Sequence, residues 1–187
     1  MGNTSTNTTP LGCLKVASWV AQLGKSKAEV YADRYDNFRH GLTLYPKILD
    51  TSAANDLDGV TFAFVCVDKG SARSEVFQML IERGIPFIDV GMGPSLSKQG
   101  PIKGMLRTTY FPQGRAADVL AAGHVETQDA PDNVYRTNIQ IAELNALNAA
   151  IAVIRFKQLR GFYVDDVSGN SLLFDIRDLK VASHAKD

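Results

Sequence analysis

The run Val60-Thr-Phe-Ala-Phe-Val-Cys-Val67 constrains this chain more than any other segment. It is eight residues long, almost wholly apolar, rich in β-branched and aromatic side chains, and bounded by Gly59 and Asp68. Its length and composition predict a strand, and its unbroken apolarity predicts one buried on both faces, as in a parallel sheet. Cys66 within it is expected to be a buried, reduced core residue. Ser71–Arg83 follows with Val76, Phe77, Leu80 and Ile81 at helical spacing and Gly84 as its stop, and Pro86–Val90 is the next apolar stretch. Strand, helix and strand in that order predict a right-handed crossover unit.

Around this unit the pattern is looser. Residues 1–10, rich in Thr and Asn, predict a disordered tail, which leaves one domain over 11–187. Leu11–Leu23 carries a broken helical stripe. Ser26 to about His40 predicts a helix with Ser26 as N-cap and Glu29 closing a capping box, and with Val30, Tyr31, Tyr35 and Phe38 on its apolar stripe. Leu42–Ile48 is short and extended. Beyond Gly91, a loop rich in Gly and Pro leads to a strand at Met105–Phe111, and residues 112–134 read as a mobile connection. Asn138–Leu159 predicts a long helix with Ile141, Leu144, Leu147, Ile151 and Ile154 on one stripe. Phe162–Val167 and Leu172–Ile176 predict a hairpin turning at Ser168-Gly-Asn170.

Several function classes fall away on composition. Lys and Arg together number 20, as do Asp and Glu, so the net charge is zero and the footprint of a general nucleic-acid binder is missing. No apolar run approaches the roughly 20 residues that cross a bilayer, and the first residues lack the basic start of a signal peptide. The cytoplasm is the expected compartment. Two cysteines and the scattered His40, His124 and His184 argue against a zinc site. No Gly-x-Ser-x-Gly elbow is present for a hydrolase.

The best candidate site lies at the carboxyl end of the Val60–Val67 strand, where ligands gather in open α/β sheets. Asp68 at the strand tip either holds a hydrated magnesium through one oxygen or simply opens the loop and caps the helix. Arg73, in the first turn of the next helix, faces the same cleft. Asp89 is a second carboxylate at a strand tip, followed by Gly91 and Gly93, which permit close backbone approach or a tight turn. Lys25 and Lys27 flank Ser26 at a helix amino-terminus, where a phosphate is favoured, though two solvated lysines are the alternative. Asn138, Asn145 and Asn148 on the long helix are read as capping or bridging neighbouring loops.

Lys25-Ser-Lys-Ala-Glu-Val30, Phe64-Val-Cys-Val-Asp-Lys-Gly-Ser-Ala-Arg73 and Gly84-Ile-Pro-Phe-Ile-Asp-Val-Gly-Met-Gly93 resemble the ThiF/MoeB/HesA family of adenylating enzymes, relatives of ubiquitin-activating enzymes. Asn138-Ile-Gln-Ile-Ala-Glu-Leu-Asn-Ala-Leu-Asn148 resembles a bacterial subgroup, and the likeness spans about residues 24–178. It implies an α/β fold with a partial Rossmann-like, mostly parallel sheet flanked by helices, ending in a long helix and a β-hairpin. It also implies ATP- and magnesium-dependent adenylation of the terminal carboxylate of a ubiquitin-like or sulfur-carrier protein. It implies Lys27 and Asp68 (with magnesium) as catalytic residues, to which Arg73 is added only on its position after Asp68; the candidate nucleotide-binding set is Lys25, Lys27, Lys69 and Asp89. A homodimer is implied as well, whereas the paired Cys-x-x-Cys zinc ligands of many members are absent, so no zinc is expected. The family's glycine-rich strand–turn–helix has no counterpart in residues 1–23, and no cysteine lies between Gly91 and Asn138 for thioester transfer. A scaffold that binds a ubiquitin-like partner without its own ATP site is therefore the alternative.

Overall fold

The structure is a computed structural model that describes residues 7–9, 12–14, 24–50, 55–93, 95–96, 100–128 and 141–184. The chain forms two compact units, Met1–Ile48 and Leu49–Asp187.

In the first unit, β1 (Asn7–Thr9) and β2 (Gly12–Leu14) pair antiparallel, where a disordered tail and the start of a helical stripe were expected. The rest of that stripe, residues 15–23, lies outside the described residues. Helix α1 (Lys27–Tyr35) begins as its sequence predicts. Ser26 Oγ accepts the Glu29 N–H at 3.2 Å, and the Glu29 carboxylate accepts the Ser26 N–H at 2.7 Å, an arrangement that stabilises a helix start by about 0.5–2 kcal/mol. The helix ends at Tyr35, short of His40, and on its stripe Tyr35 meets Tyr31 tilted and Phe38 edge to face, all three remaining exposed.

The second unit is a five-stranded sheet with helices on both faces. Its elements are β3 (Ala63–Val65), α2 (Gly70–Glu82), β4 (Phe87–Met92), the two-residue ribbon strands β5 (Ser95–Leu96) and β6 (Ile102–Lys103), β7 (Met105–Phe111), α3 (Ala116–Ala121), α4 (Ala142–Leu159), β8 (Ser171–Asp175) and β9 (Lys180–His184). The order across the sheet is β3-β4-β7-β8-β9. Only β3 and β4 run parallel; the other three pairs are antiparallel. This corrects the expected mostly parallel sheet. One crossover helix, α2, joins a parallel pair, whereas β4 returns to β7 through the glycine-punctuated β5–β6 excursion, which reverses the chain instead of crossing over.

Side-chain alternation sorts the core into two layers. On one face, Val65, Phe87 and Phe111 pack against Val76, Phe77 and Leu80 of α2 and Ala116 and Val119 of α3. Phe87 and Phe111 stack at 4.4 Å between ring centroids, with Phe77 against both. On the other face, Leu106 and Phe174 pack against Leu144, Leu147 and Ile151 of α4. Four of the five residues expected on the α4 stripe, Ile141, Leu144, Leu147 and Ile151, lie in this layer; Ile154 is exposed, and Asn148, Ala152 and Arg155 are buried beside them. Residues 112–134 are also not a bare connection, since they include α3 and the buried Val125; those from 129 on lie outside the described residues.

Two further corrections concern strands. The Val60–Val67 run contributes only three ladder residues and forms an edge of the sheet, leaving Phe64 half exposed, because β4 opposes it on one side alone. The terminal hairpin is β8–β9, one strand later than expected. Asp175 accepts the Arg177 N–H at 2.9 Å and Asp178 accepts the Lys180 N–H at 3.2 Å, so side-chain turns set the reversal at residues 176–179. Residues 162–167 instead lie tethered to α4, with Arg155 bonded to Asp165 at 2.5 Å and Gln158 donating to the Val164 carbonyl at 3.2 Å. Among the described residues no helix is long and apolar enough to cross a membrane.

Candidate functional site

At the carboxyl ends of the parallel pair β3 and β4 lies a cavity of about 150 Å³, lined among others by Cys66, Asp68, Arg73, Gly91, Asn145 and Asn148. Strand tips, the amino end of α2 and the first turns of α4 thus converge where the sequence placed the site. Asp68 stands at the tip of β3 with its side chain exposed, and Lys69 beside it is exposed at the N-cap of α2 without a side-chain cap bond. The N-cap position thus belongs to Lys69 and not to Asp68.

Arg73 lines the cavity but is buried, and its donors are committed to protein acceptors. Nε bonds the Asp89 carboxylate at 3.2 Å, Nη1 bonds the Glu126 carbonyl at 3.1 Å, and Nη2 bonds the Val67 carbonyl. Asp89 is not an open strand-tip carboxylate. It sits within β4, opposite Thr109, and is fully buried. Its second oxygen accepts from Arg107 Nη2 at 2.7 Å. Burial pushes the Asp89 pKa above the ordinary carboxylate value, and Arg107, then Arg73, pull it back without reversing the shift. A carboxylate engaged on both oxygens and closed to solvent anchors the floor of the cavity; it does not present a face to a nucleotide.

Sequence reading missed the partner that completes this floor. Arg107 also donates from Nη1 to Thr109 Oγ1 at 2.9 Å, and Thr109 shares a 3.0 Å hydroxyl bond with Ser171 of β8. The signal available in sequence was the alternation Arg107-x-Thr109, which puts both side chains on one face. That they meet Asp89 depends on register, since Arg107 lies opposite Gly91. A Cβ on Gly91 would come within 2.6 Å of Arg107 Nη2, so that guanidinium would have to shift. On the other face, Asn148 bridges two strands and not the loops expected, accepting from Thr108 Oγ1 of β7 at 3.2 Å and donating to the Gly91 carbonyl of β4 at 3.0 Å. Asn145 lines the cavity from an exposed position, and Asn138 lies outside the described residues.

Cys66 is a free, exposed cysteine rather than a core residue, because the ladder ends at Val65 and the next side chain falls at the rim of the cavity. Partial desolvation, and then the nearby Asp89 and Asp68 carboxylates, push its thiol pKa up. It is accordingly a poor nucleophile at neutral pH.

The amino end of α2 is closed to a ligand. A Cβ on Gly70 would lie 2.2 Å from the Gln128 carbonyl oxygen, so the 126–128 segment crosses directly over that end. In the first unit, Lys27 is the first residue of α1, and Lys25 pairs with Asp33 at 2.6 Å, both side chains being well exposed. That pairing raises the Lys25 pKa, while the bonds from Ser26 lower that of Glu29. The carboxylate of Glu29 already occupies the end of the helix where an anion would bind.

The donor set fits a hydrated magnesium, which needs one or two carboxylate oxygens and keeps its waters; Asp68 supplies one such group. It fits a triphosphate poorly, because within the second unit both the α2 amino end and Arg73 are already engaged. No protein-family model matches the chain, and no curated protein matches it.

Proposed function

We propose that this chain carries the acidic half-site of a ThiF-like adenylating module, acting on the terminal carboxylate of a ubiquitin-like or sulfur-carrier protein. The observation that carries the reading is the exposed Asp68 at the tip of the parallel pair, beside a cavity that Gly91, Asn145 and Asn148 help to line. A carboxylate in that position suits the reaction class, because attack of a carboxylate oxygen on the α-phosphorus, with the bond to pyrophosphate breaking, calls for positioned charge rather than a protein nucleophile. Magnesium held by Asp68 would supply charge neutralisation at the phosphates. Arg73, Asp89 and Arg107 act as positioning residues that keep the β3 tip and the 126–128 segment in place. Cys66, with its raised pKa, is ill suited to thioester transfer, and the reading includes none.

The engagement of Arg73 and the closed amino end of α2 favour a second reading, a scaffold that binds the carrier without binding ATP. ATP–pyrophosphate exchange with a carrier ending in Gly-Gly separates the two. Under the first reading exchange occurs and Asp68→Ala abolishes it while leaving the melting temperature unchanged, since the side chain is exposed. Carrier binding with no calorimetric signal for ATP and magnesium would move the conclusion to the scaffold.

A further inference from the structure

At the opposite end of the sheet, where β3 and β4 begin, a second cavity of about 410 Å³ is lined by Phe62, Tyr110, Leu159, Arg160, Arg83 and Gln113, among others. That volume is within the range of small-molecule sites. Its chemistry differs from that of the first cavity, having an aromatic wall and two arginines where the other has a carboxylate and amides. Phe62 and Tyr110 stack nearly parallel, at 6.4 Å and 13°. The guanidinium of Arg160, the residue that closes α4, lies 5.5 Å from the Phe62 ring centroid and 5.3 Å from that of Phe156. Arg83 is partly neutralised by Asp58 at 2.6 Å. Arg160, by contrast, makes no ion pair among the described residues. A guanidinium held over aromatic rings retains N–H donors that suit the fork of a carboxylate or phosphate.

We propose that this cavity binds a small aromatic acid, a planar ring bearing one carboxylate or phosphate, with the ring against the Phe62–Tyr110 wall and the acidic group on Arg160. The site is independent of the adenylation reading, since it shares no residue with the Asp68 cavity.

The test titrates the full chain with benzoate, phenyl phosphate and the neutral control benzyl alcohol, following backbone amide shifts by two-dimensional NMR. The expected result is that at least one of the two acids binds, shifting the amides of Thr61, Gly84 and Gln113, and that benzyl alcohol binds at least tenfold more weakly. Which acid binds more tightly identifies the acidic group. Arg160→Gln, at an exposed position, should keep the fold and weaken the acid about tenfold or more, as expected for loss of a charge-assisted pair. The proposal is overturned if neither acid binds at 10-millimolar order, if the shifts map elsewhere, if benzyl alcohol binds equally well, or if Arg160→Gln leaves the affinity unchanged. Asp68→Ala should have no effect on this binding, so the result stands apart from that of the exchange assay.

Discussion

Replacing Arg107 with Met probes the buried floor beneath the Asp68 cavity. The substitution retains an apolar stem of similar reach and removes two bonds, 2.7 Å to Asp89 Oδ2 and 2.9 Å to Thr109 Oγ1. The Arg107 side chain is 15% exposed and the Asp89 side chain 0%. At an effective dielectric of about 20, the gross attraction across 2.7 Å is about 6 kcal/mol, most of it offset by desolvation. Orphaning a buried charge outright costs about 3–5 kcal/mol. Asp89 keeps Arg73 at 3.2 Å, however, so a loss of about 2–4 kcal/mol is expected at pH 8. In a domain of this size that lowers the melting temperature by about 6–12 °C.

The pH dependence distinguishes a charge effect from lost packing. The folded pKa of Asp89 is already raised, and losing Arg107 raises it further. A raised acid takes up its proton more readily when folded, so the stability gained by protonation is present at low pH and is lost as pH rises through the folded pKa. The deficit of Arg107→Met relative to the parent chain should therefore be largest above that pKa and shrink as pH falls through it. Urea unfolding followed by far-ultraviolet circular dichroism at pH 8 and pH 5 measures both. A deficit below about 0.5 kcal/mol at pH 8, or one equal at the two pH values, would refute the charge argument.

Two further outcomes follow from the same region. Gly70→Ala places a Cβ 2.2 Å from the Gln128 carbonyl, in backbone that cannot swing aside like a side chain, so it should cost about 1–3 kcal/mol and increase hydrogen exchange at residues 125–128; unchanged protection there would mean the segment does not cross the helix end. In a Cys13→Ser background, alkylation of Cys66 by iodoacetamide should rise with pH later than for an ordinary thiol, and Asp68→Asn should move the profile back toward lower pH. A profile at the ordinary thiol midpoint in the parent chain would contradict the electrostatics of the cavity rim.

Local signals were legible in the sequence wherever neighbours along the chain decide the outcome. Ser26 and Glu29 start α1 because both halves of a capping box lie within one turn. Val76, Phe77 and Leu80 bury the face of α2 that their spacing marks, and Met105–Phe111 is a strand from end to end. The cavity at the carboxyl end of β3 lies where the sequence pattern points for a topological reason: one crossover unit suffices to bring strand tips and a helix start together.

What sequence could not supply was everything that register and sheet order decide. The apolar run 60–67 looks fully buried, yet an edge position leaves Phe64 half exposed and Cys66 at a rim. Asp68 and Asp89 are both acids following β-rich segments and read alike along the chain. Pairing β4 with β7 seals Asp89 between Arg73 and Arg107, while the same architecture leaves Asp68 open to solvent. The sequence by itself thus determined the start of α1, the helices α2 and α4 and the crossover unit. Only the tertiary structure decided which carboxylate anchors the fold and which is free to act, because burial and ion pairing depend on residues 16 and 18 positions apart along the chain, brought together by a sheet order that local patterning does not encode.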